Sequence, residues 1–311
     1  MSAADDRPHG GGPAARELLR RLPRSTRALL RRRELPLTAA GLTFYGALAA
    51  VPSLLIAVRV AGWLVGEERV LALGDSLETA LPSAMSADVV ARAAVVYGLG
   101  VSWPVVLFSV FPASLYGEGL RRSYQALGEG APAGGALAED GARGSGEGRG
   151  GRRAPQVLRR LGSGWRARGA VLPVLAAAPL LLLVVLGVSP LVADLFARGA
   201  GGTALGVYVS LNVDWVVVSL PLAWSFRTVA TQDLSWRAAL VGGFATGAFV
   251  AGFVQGIVLF VALPVDIGAP FGGSQAIGGV VAALLWLWLL HVVVLVGFAA
   301  TLSAVRLRQG R

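Results

Sequence analysis

Four polar side chains lie inside long apolar stretches, where their chemistry could serve transport. Asp214 and Asn212 are near the middle of one stretch, Gln255 is in the next, and Arg59 is towards the end of the first. A charge at mid-bilayer costs about 2.5–3.5 kcal/mol on insertion scales, so it should face the bundle interior or a wet cavity. These residues predict a polar site for a proton or an anionic lipid head group, and Tyr45 is a further candidate along that path.

The same residues also have structural interpretations. Asp214 could join two helices, and Arg59 could pair with Asp214 or extend to the outer phosphate head groups. Gln255 is more simply a donor or acceptor between helices. The sequence leaves these alternatives open.

Glycines and prolines mark positions where helices could pack closely or bend. Small residues usually allow close helix packing, with a gate as the alternative, and a proline is expected to kink a helix. The candidates for a kink or gate are Pro52, Gly242, Gly243, Gly278 and Gly279.

Catalytic and metal chemistry is poorly supported. The chain has two histidines: His9 in the polar N-terminus and His291 alone in an apolar stretch, which favours a packed or hydrogen-bonded core residue. There is no Cys, no Lys for a phosphate loop and no Gly-x-Ser-x-Gly turn. The sequence therefore predicts no catalytic residues, no metal site and no cofactor, and the protein is not expected to be an enzyme.

Long apolar stretches position the polar residues. Hydrophobic residues make up 55% of the 311, only 15% are charged, and the mean hydropathy is +0.65. About 20 apolar residues are needed to cross a bilayer. The pattern predicts an all-α membrane domain over 37–305 with six transmembrane helices, at about 37–65, 94–116, 170–196, 204–226, 238–263 and 276–305.

The segments outside these helices are polar or mixed. Residues 1–36 read as a disordered start followed by a basic amphipathic helix, lying on the membrane or in solvent. Residues 66–92 predict short amphipathic helices on the outer surface, broken near Pro82. Residues 128–153 predict a flexible cytoplasmic linker, and 306–311 a basic tail.

The distribution of arginine predicts the orientation. With both termini in the cytoplasm, 24 of the 28 arginines fall on the cytoplasmic side of a six-helix protein. This is the positive-inside pattern, and it is favoured over nucleic-acid binding as the reason for the net charge of +10. The expected partners are membrane lipids, with anionic head groups at the basic cytoplasmic face, and no nucleic acid.

Four segments carry a resemblance to a known family. They are 39–48 (AAGLTFYGAL), 120–127 (LRRSYQAL), 234–243 (LSWRAALVGG) and 278–288 (GGVVAALLWLW). In this order and spacing the chain resembles the YihY/BrkB family of bacterial membrane proteins, once labelled ribonuclease BN. It departs from the family at 272–276 (GGSQA), and at 297–303 (GFAATLS), where the family usually has a carboxylate.

The resemblance implies six helices, a multi-pass location in the bacterial inner membrane, and transport or flipping of a lipid or other amphipathic envelope component. The alternative is a non-transporting scaffold that organises envelope proteins through its basic surface. A membrane-bound hydrolase is a remote alternative, since the old ribonuclease label has no matching residues.

Overall fold

The computed structural model describes residues 13–31, 34–80, 87–128, 172–230, 232–261 and 266–309. Within those ranges the structure is helical and has no strand, which confirms the all-α prediction. A short 3₁₀ turn at Ala269–Phe271 precedes the last helix. The helices are α1 (Pro13–Arg31), α2 (Leu35–Val65), α3 (Glu67–Ala80), α4 (Ala87–Gly100), α5 (Trp103–Gly128), α6 (Leu172–Ala197), α7 (Ala200–Thr228), α8 (Trp236–Val261) and α9 (Gln275–Gln309).

Five of the described helices are long and apolar enough to cross a membrane: α2, α6, α7, α8 and α9. The bent pair of α4 and α5 brings the number to six if it forms one span. Large side chains such as Phe108, Val241 and Phe249 are at least 72% exposed, as expected where the surroundings are hydrocarbon. The chain is thus a multi-pass membrane protein.

The predicted second span, 94–116, is not one helix. The chain turns by 119° between α4 and α5, at Val101 and Ser102. Pro104 is the second residue of α5 and has no N–H to continue the helix before it, whereas the first turn of a new helix needs none there. The apolar stretch is therefore divided between two helices of different direction.

The predicted amphipathic segment 66–92 corresponds to α3 and the start of α4, while Pro82 lies outside the described residues. The two helices pack on each other and on the end of α2. Val58, Val70, Val95 and Leu99 form the core of this contact. Helix α4 therefore includes residues of both the predicted amphipathic segment and the predicted second span.

The basic ends of several helices lie together. Arg306 near the end of α9 donates a hydrogen bond to the carbonyl oxygen of Gly128, the last residue of α5, at 2.6 Å. Leu127, Leu234 and Leu302 are buried in one cluster with residues of α7, and α1 packs against α9. We call this the basic end of the bundle.

The remaining predicted segments fall only partly within the described residues. The predicted linker 128–153 lies outside the described residues except for Gly128, and so do residues 1–12 of the N-terminus. The predicted tail 306–311 begins as helix, because α9 continues to Gln309.

Candidate functional site

A cavity of about 250 Å³ lies among α5, α6, α7 and α9. Among the described residues it is open beside Leu181, which lies well inside α6 and is 40% exposed, and so at the side of the bundle. The volume is just below the range of about 300–1,000 Å³ typical of small-molecule sites, so it suits part of a hydrocarbon chain. The lining residues are Tyr116, Leu120 and Tyr124 of α5, Ala178 and Leu181 of α6, Val217, Val218, Pro221, Leu222 and Ser225 of α7, and Val294 of α9.

Asp214 continues the stripe of α7 that lines this cavity. Val218, Pro221 and Ser225 recur at helical spacing, and Asp214 is four residues before Val218, so it lies one turn beyond the lining on the same face. It is half-buried, and Gln255 Nε2 on α8 donates a 2.8 Å hydrogen bond to its Oδ2. The structure thus joins two of the predicted path residues beside the cavity.

Asn212 does not share that site. At about 100° per residue it is rotated by roughly 200° from Asp214 around α7. Its Nδ2 donates to the carbonyl oxygen of Tyr208 one turn earlier, at 2.8 Å. Closeness in sequence therefore does not bring these two polar groups to one face.

Arg59 belongs to a separate cluster at the end of α2. Its Nη1 donates to Glu67 Oε1 at 2.9 Å and to the carbonyl oxygen of Leu99 at 2.8 Å, and its guanidinium lies 5.6 Å from the ring centroid of Trp103. The pairing with Asp214 that the sequence left open is not formed. Leu99 is one residue before the end of α4, so Arg59 supplies a donor to a carbonyl that the helix cannot satisfy.

Tyr45 packs near the basic end rather than in the cavity lining. A Cβ placed on Gly119 would be 2.7 Å from its ring, so the missing side chain makes room for the tyrosine. On the neighbouring face of α5, Glu118 is 15% exposed and forms ion pairs with Arg121 and Arg122 at 2.7 and 2.8 Å. This cluster places charge within two turns of the cavity residues of α5.

His291 is a hydrogen-bonded core residue, as the sequence favoured. It is 3% exposed, with Nδ1 3.1 Å from Thr43 Oγ1 on α2 and Nε2 3.1 Å from the hydroxyl of Tyr116 on α5. Because Tyr116 also lines the cavity, its hydrogen bond to His291 fixes the position of one polar group of the cavity wall.

The predicted gate glycines have different surroundings. A Cβ on Gly242 would be 2.1 Å from Thr301 Oγ1, and one on Gly243 would be 2.6 Å from the backbone of Ala223. A Cβ on Gly278 would be 2.2 Å from the carbonyl oxygen of Ile267, whereas nothing lies within 4 Å of a Cβ on Gly279. Three of the four therefore occupy close packing contacts.

Pro52 was predicted to bend the first span. It lies inside α2, whose helical assignment continues without a break from Leu35 to Val65. The proline therefore does not interrupt the helix, and its role as a kink or gate stays a prediction.

Sequence reasoning missed the hydroxyl residues of the cavity. Tyr116, Tyr124 and Ser225 are uncharged, and each lies two residues from a charged side chain. Tyr124 Oη is 3.1 Å from Ser225 Oγ, although the two are 101 positions apart. The spacing of Tyr116, Leu120 and Tyr124 at every fourth residue is the only signal that could have grouped them on one face of α5.

Replacing His291 and Tyr116 with phenylalanine, singly and together, tests their hydrogen bond. Each single variant leaves a buried polar atom without its partner, whereas the double variant removes both. We expect the double variant to be more stable than additivity predicts, with a coupling of about 0.6–1.7 kcal/mol in unfolding from mixed micelles. Strict additivity would show that the bond contributes nothing.

The family model described as Virulence factor BrkB matches residues 28–310. No curated protein and no solved structure matches the chain.

Proposed function

The chain belongs to the virulence factor BrkB family, and from that premise we propose that it moves a lipid or another amphipathic envelope component across the bacterial inner membrane. The observation that carries the proposal is the apolar cavity among α5, α6, α7 and α9, which opens at the side of the bundle. A side opening allows a hydrocarbon chain to enter directly from the bilayer. Its walls carry few polar groups, as a site for hydrocarbon requires.

The half-buried Asp214 supports transport more than simple storage. It lies one turn from the cavity lining, at a depth where ionisable groups usually mark substrate or proton pathways. Its hydrogen bond to Gln255 keeps the carboxyl group in place between α7 and α8. The proposed path runs along the α7 stripe between Asp214 and the hydroxyl groups nearer the basic end.

The scaffold remains the second candidate, favoured by α1. This helix packs on α9, and Arg20, Arg21, Arg24, Arg27 and Arg31 are exposed on it. Exposed arginines attract the anionic head groups of the cytoplasmic leaflet, at about 1 kcal/mol per residue near the surface. They would equally suit an acidic protein partner.

Transbilayer movement of fluorescent phospholipids in liposomes containing the purified protein tests the proposal. We expect faster movement than in empty liposomes, and its loss in Asp214→Asn, where an amide oxygen can still accept from Gln255. Asp194→Asn is the matched control, because Asp194 is exposed and paired with Arg198, the residue that follows the end of α6. Absence of movement with folded wild-type protein would contradict lipid transport.

A cellular experiment separates transporter from scaffold. At equal protein levels, a transporter requires Asp214, whereas a scaffold requires the basic surface and the segment 128–153. Envelope defects caused by deleting 128–153 but not by Asp214→Asn would favour the scaffold.

A further inference from the structure

Three hydroxyl groups in the cavity wall determine which hydrogen bonds a ligand could form there. A hydroxyl group has one hydrogen to donate and two lone pairs that accept. Tyr116, Tyr124 and Ser225 are the hydroxyl-bearing residues of the lining. The partners of each hydrogen can be assigned from the surrounding bonds.

The hydrogens of Ser225 and Tyr124 are both committed. Ser225 Oγ donates to the carbonyl oxygen of Leu222 at 2.8 Å, and a carbonyl can only accept. The 3.1 Å contact between Ser225 Oγ and Tyr124 Oη must then use the tyrosine hydrogen. Neither residue retains a hydrogen for a ligand.

The hydrogen of Tyr116 is committed through His291. Thr43 Oγ1 donates to the carbonyl oxygen of Ala39 at 2.8 Å, so it accepts from His291 Nδ1. In the neutral ring Nε2 is then an acceptor, and the Tyr116 hydroxyl donates to it.

The hydroxyl groups of the cavity wall can therefore accept a hydrogen bond from a ligand, but none has a free hydrogen to donate. We propose that the cavity binds a neutral long-chain lipid that carries a hydroxyl group, with the hydrocarbon against Leu181 and Val218 and the hydroxyl donating to a tyrosine oxygen. A phosphate or carboxylate beside these hydroxyl groups would meet acceptors only, and an ammonium group would lose its hydration. A phospholipid can therefore place hydrocarbon in the cavity, but its head group stays outside it. This assignment deepens the proposed function and rests on it for its role in transport.

Photolabelling in phosphatidylcholine nanodiscs tests the inference without measuring transport. The probes are a hexadecanol with a diazirine in its chain and the methyl ether of the same molecule, in which a methyl group replaces the hydroxyl hydrogen so that the oxygen can accept but not donate. One hydrogen bond changes affinity by about 3- to 10-fold, so we expect the alcohol to label the cavity segments of α5 and α7 that much more strongly. Unlabelled hexadecanol should compete with this labelling, and its methyl ether should compete poorly.

Two variants connect the preference to the cavity. Tyr116→Phe/Tyr124→Phe should bring the ratio of alcohol to ether labelling towards one, with labelling by the ether unchanged. Val218→Trp should remove the labelling by both probes. Unchanged ether labelling and normal elution in size-exclusion chromatography show that the double variant is folded.

Several results would overturn the inference. These are equal labelling by the alcohol and the ether, no labelling of the cavity segments by either, an alcohol preference that survives the double variant, or equally strong labelling by the corresponding alkyl phosphate. The two proposals fail separately. An alcohol preference without lipid movement removes only the transport function, and lipid movement without an alcohol preference removes only the substrate class.

Discussion

Replacing Gly243 with alanine is expected to lower the free energy of unfolding by about 1–3 kcal/mol, the range for overpacking a tight contact. A Cβ at this position would lie 2.6 Å from the backbone and Cβ of Ala223 on α7. Backbone atoms cannot rotate away, so α7 and α8 would have to separate. Because Asp214 and Gln255 bridge the same two helices, the shift would also lengthen their hydrogen bond. Unfolding in mixed micelles measures the effect.

Gly252→Ala is the matched control on the same helix. Nothing lies within 4 Å of a Cβ built there, and alanine is a better helix former than glycine. We expect its stability to be equal to that of the wild type or slightly higher. Equal losses in the two variants would show that the contact with Ala223 does not limit the approach of the helices.

Replacing Val218 with tryptophan is expected to reduce lipid movement to the rate of empty liposomes. Val218 lines the cavity, and an indole group directed into about 250 Å³ would occupy the space proposed for hydrocarbon. The existing space should limit the loss of stability, since overpacking is costly mainly where no room is available. Movement of fluorescent phospholipids is the measurement.

Val216→Trp provides the comparison for that variant. Val216 is two residues away on α7, about 200° around the helix, and is 39% exposed. We expect movement at the wild-type rate, because the new side chain would face the bilayer. Full activity of folded Val218→Trp protein would exclude this cavity as the path.

The helical architecture could be predicted because a bilayer leaves the backbone few alternatives. The apolar lengths alone indicate α2, α6, α7, α8 and α9. The turn between α4 and α5 could not be found in this way, because hydropathy counts apolar residues without regard to direction. Pro104 was visible in the sequence, but a proline in a membrane helix often causes only a kink.

The candidate site was less predictable, since its contacts join distant parts of the chain. Charge identified Asp214, and polarity identified Gln255, but their pairing depends on how α7 and α8 pack. His291 is 248 residues from Thr43 and 175 from Tyr116, and no periodicity encodes those distances. The sequence allowed several partners for Arg59, and the carboxylate with which it pairs belongs to Glu67, the first residue of α3.

The turn between α4 and α5 also affects the membrane around the protein. Where the bent pair of α4 and α5 forms one span, the part along α5 from Trp103 to Gly117, before the charged group of Glu118, offers 15 residues, or roughly 22 Å at 1.5 Å per residue. The hydrocarbon core of a bilayer is about 30 Å thick. A span shorter than the core is accommodated by local thinning of the bilayer. We therefore expect the lipid leaflets to approach each other beside α5, one of the helices that line the cavity.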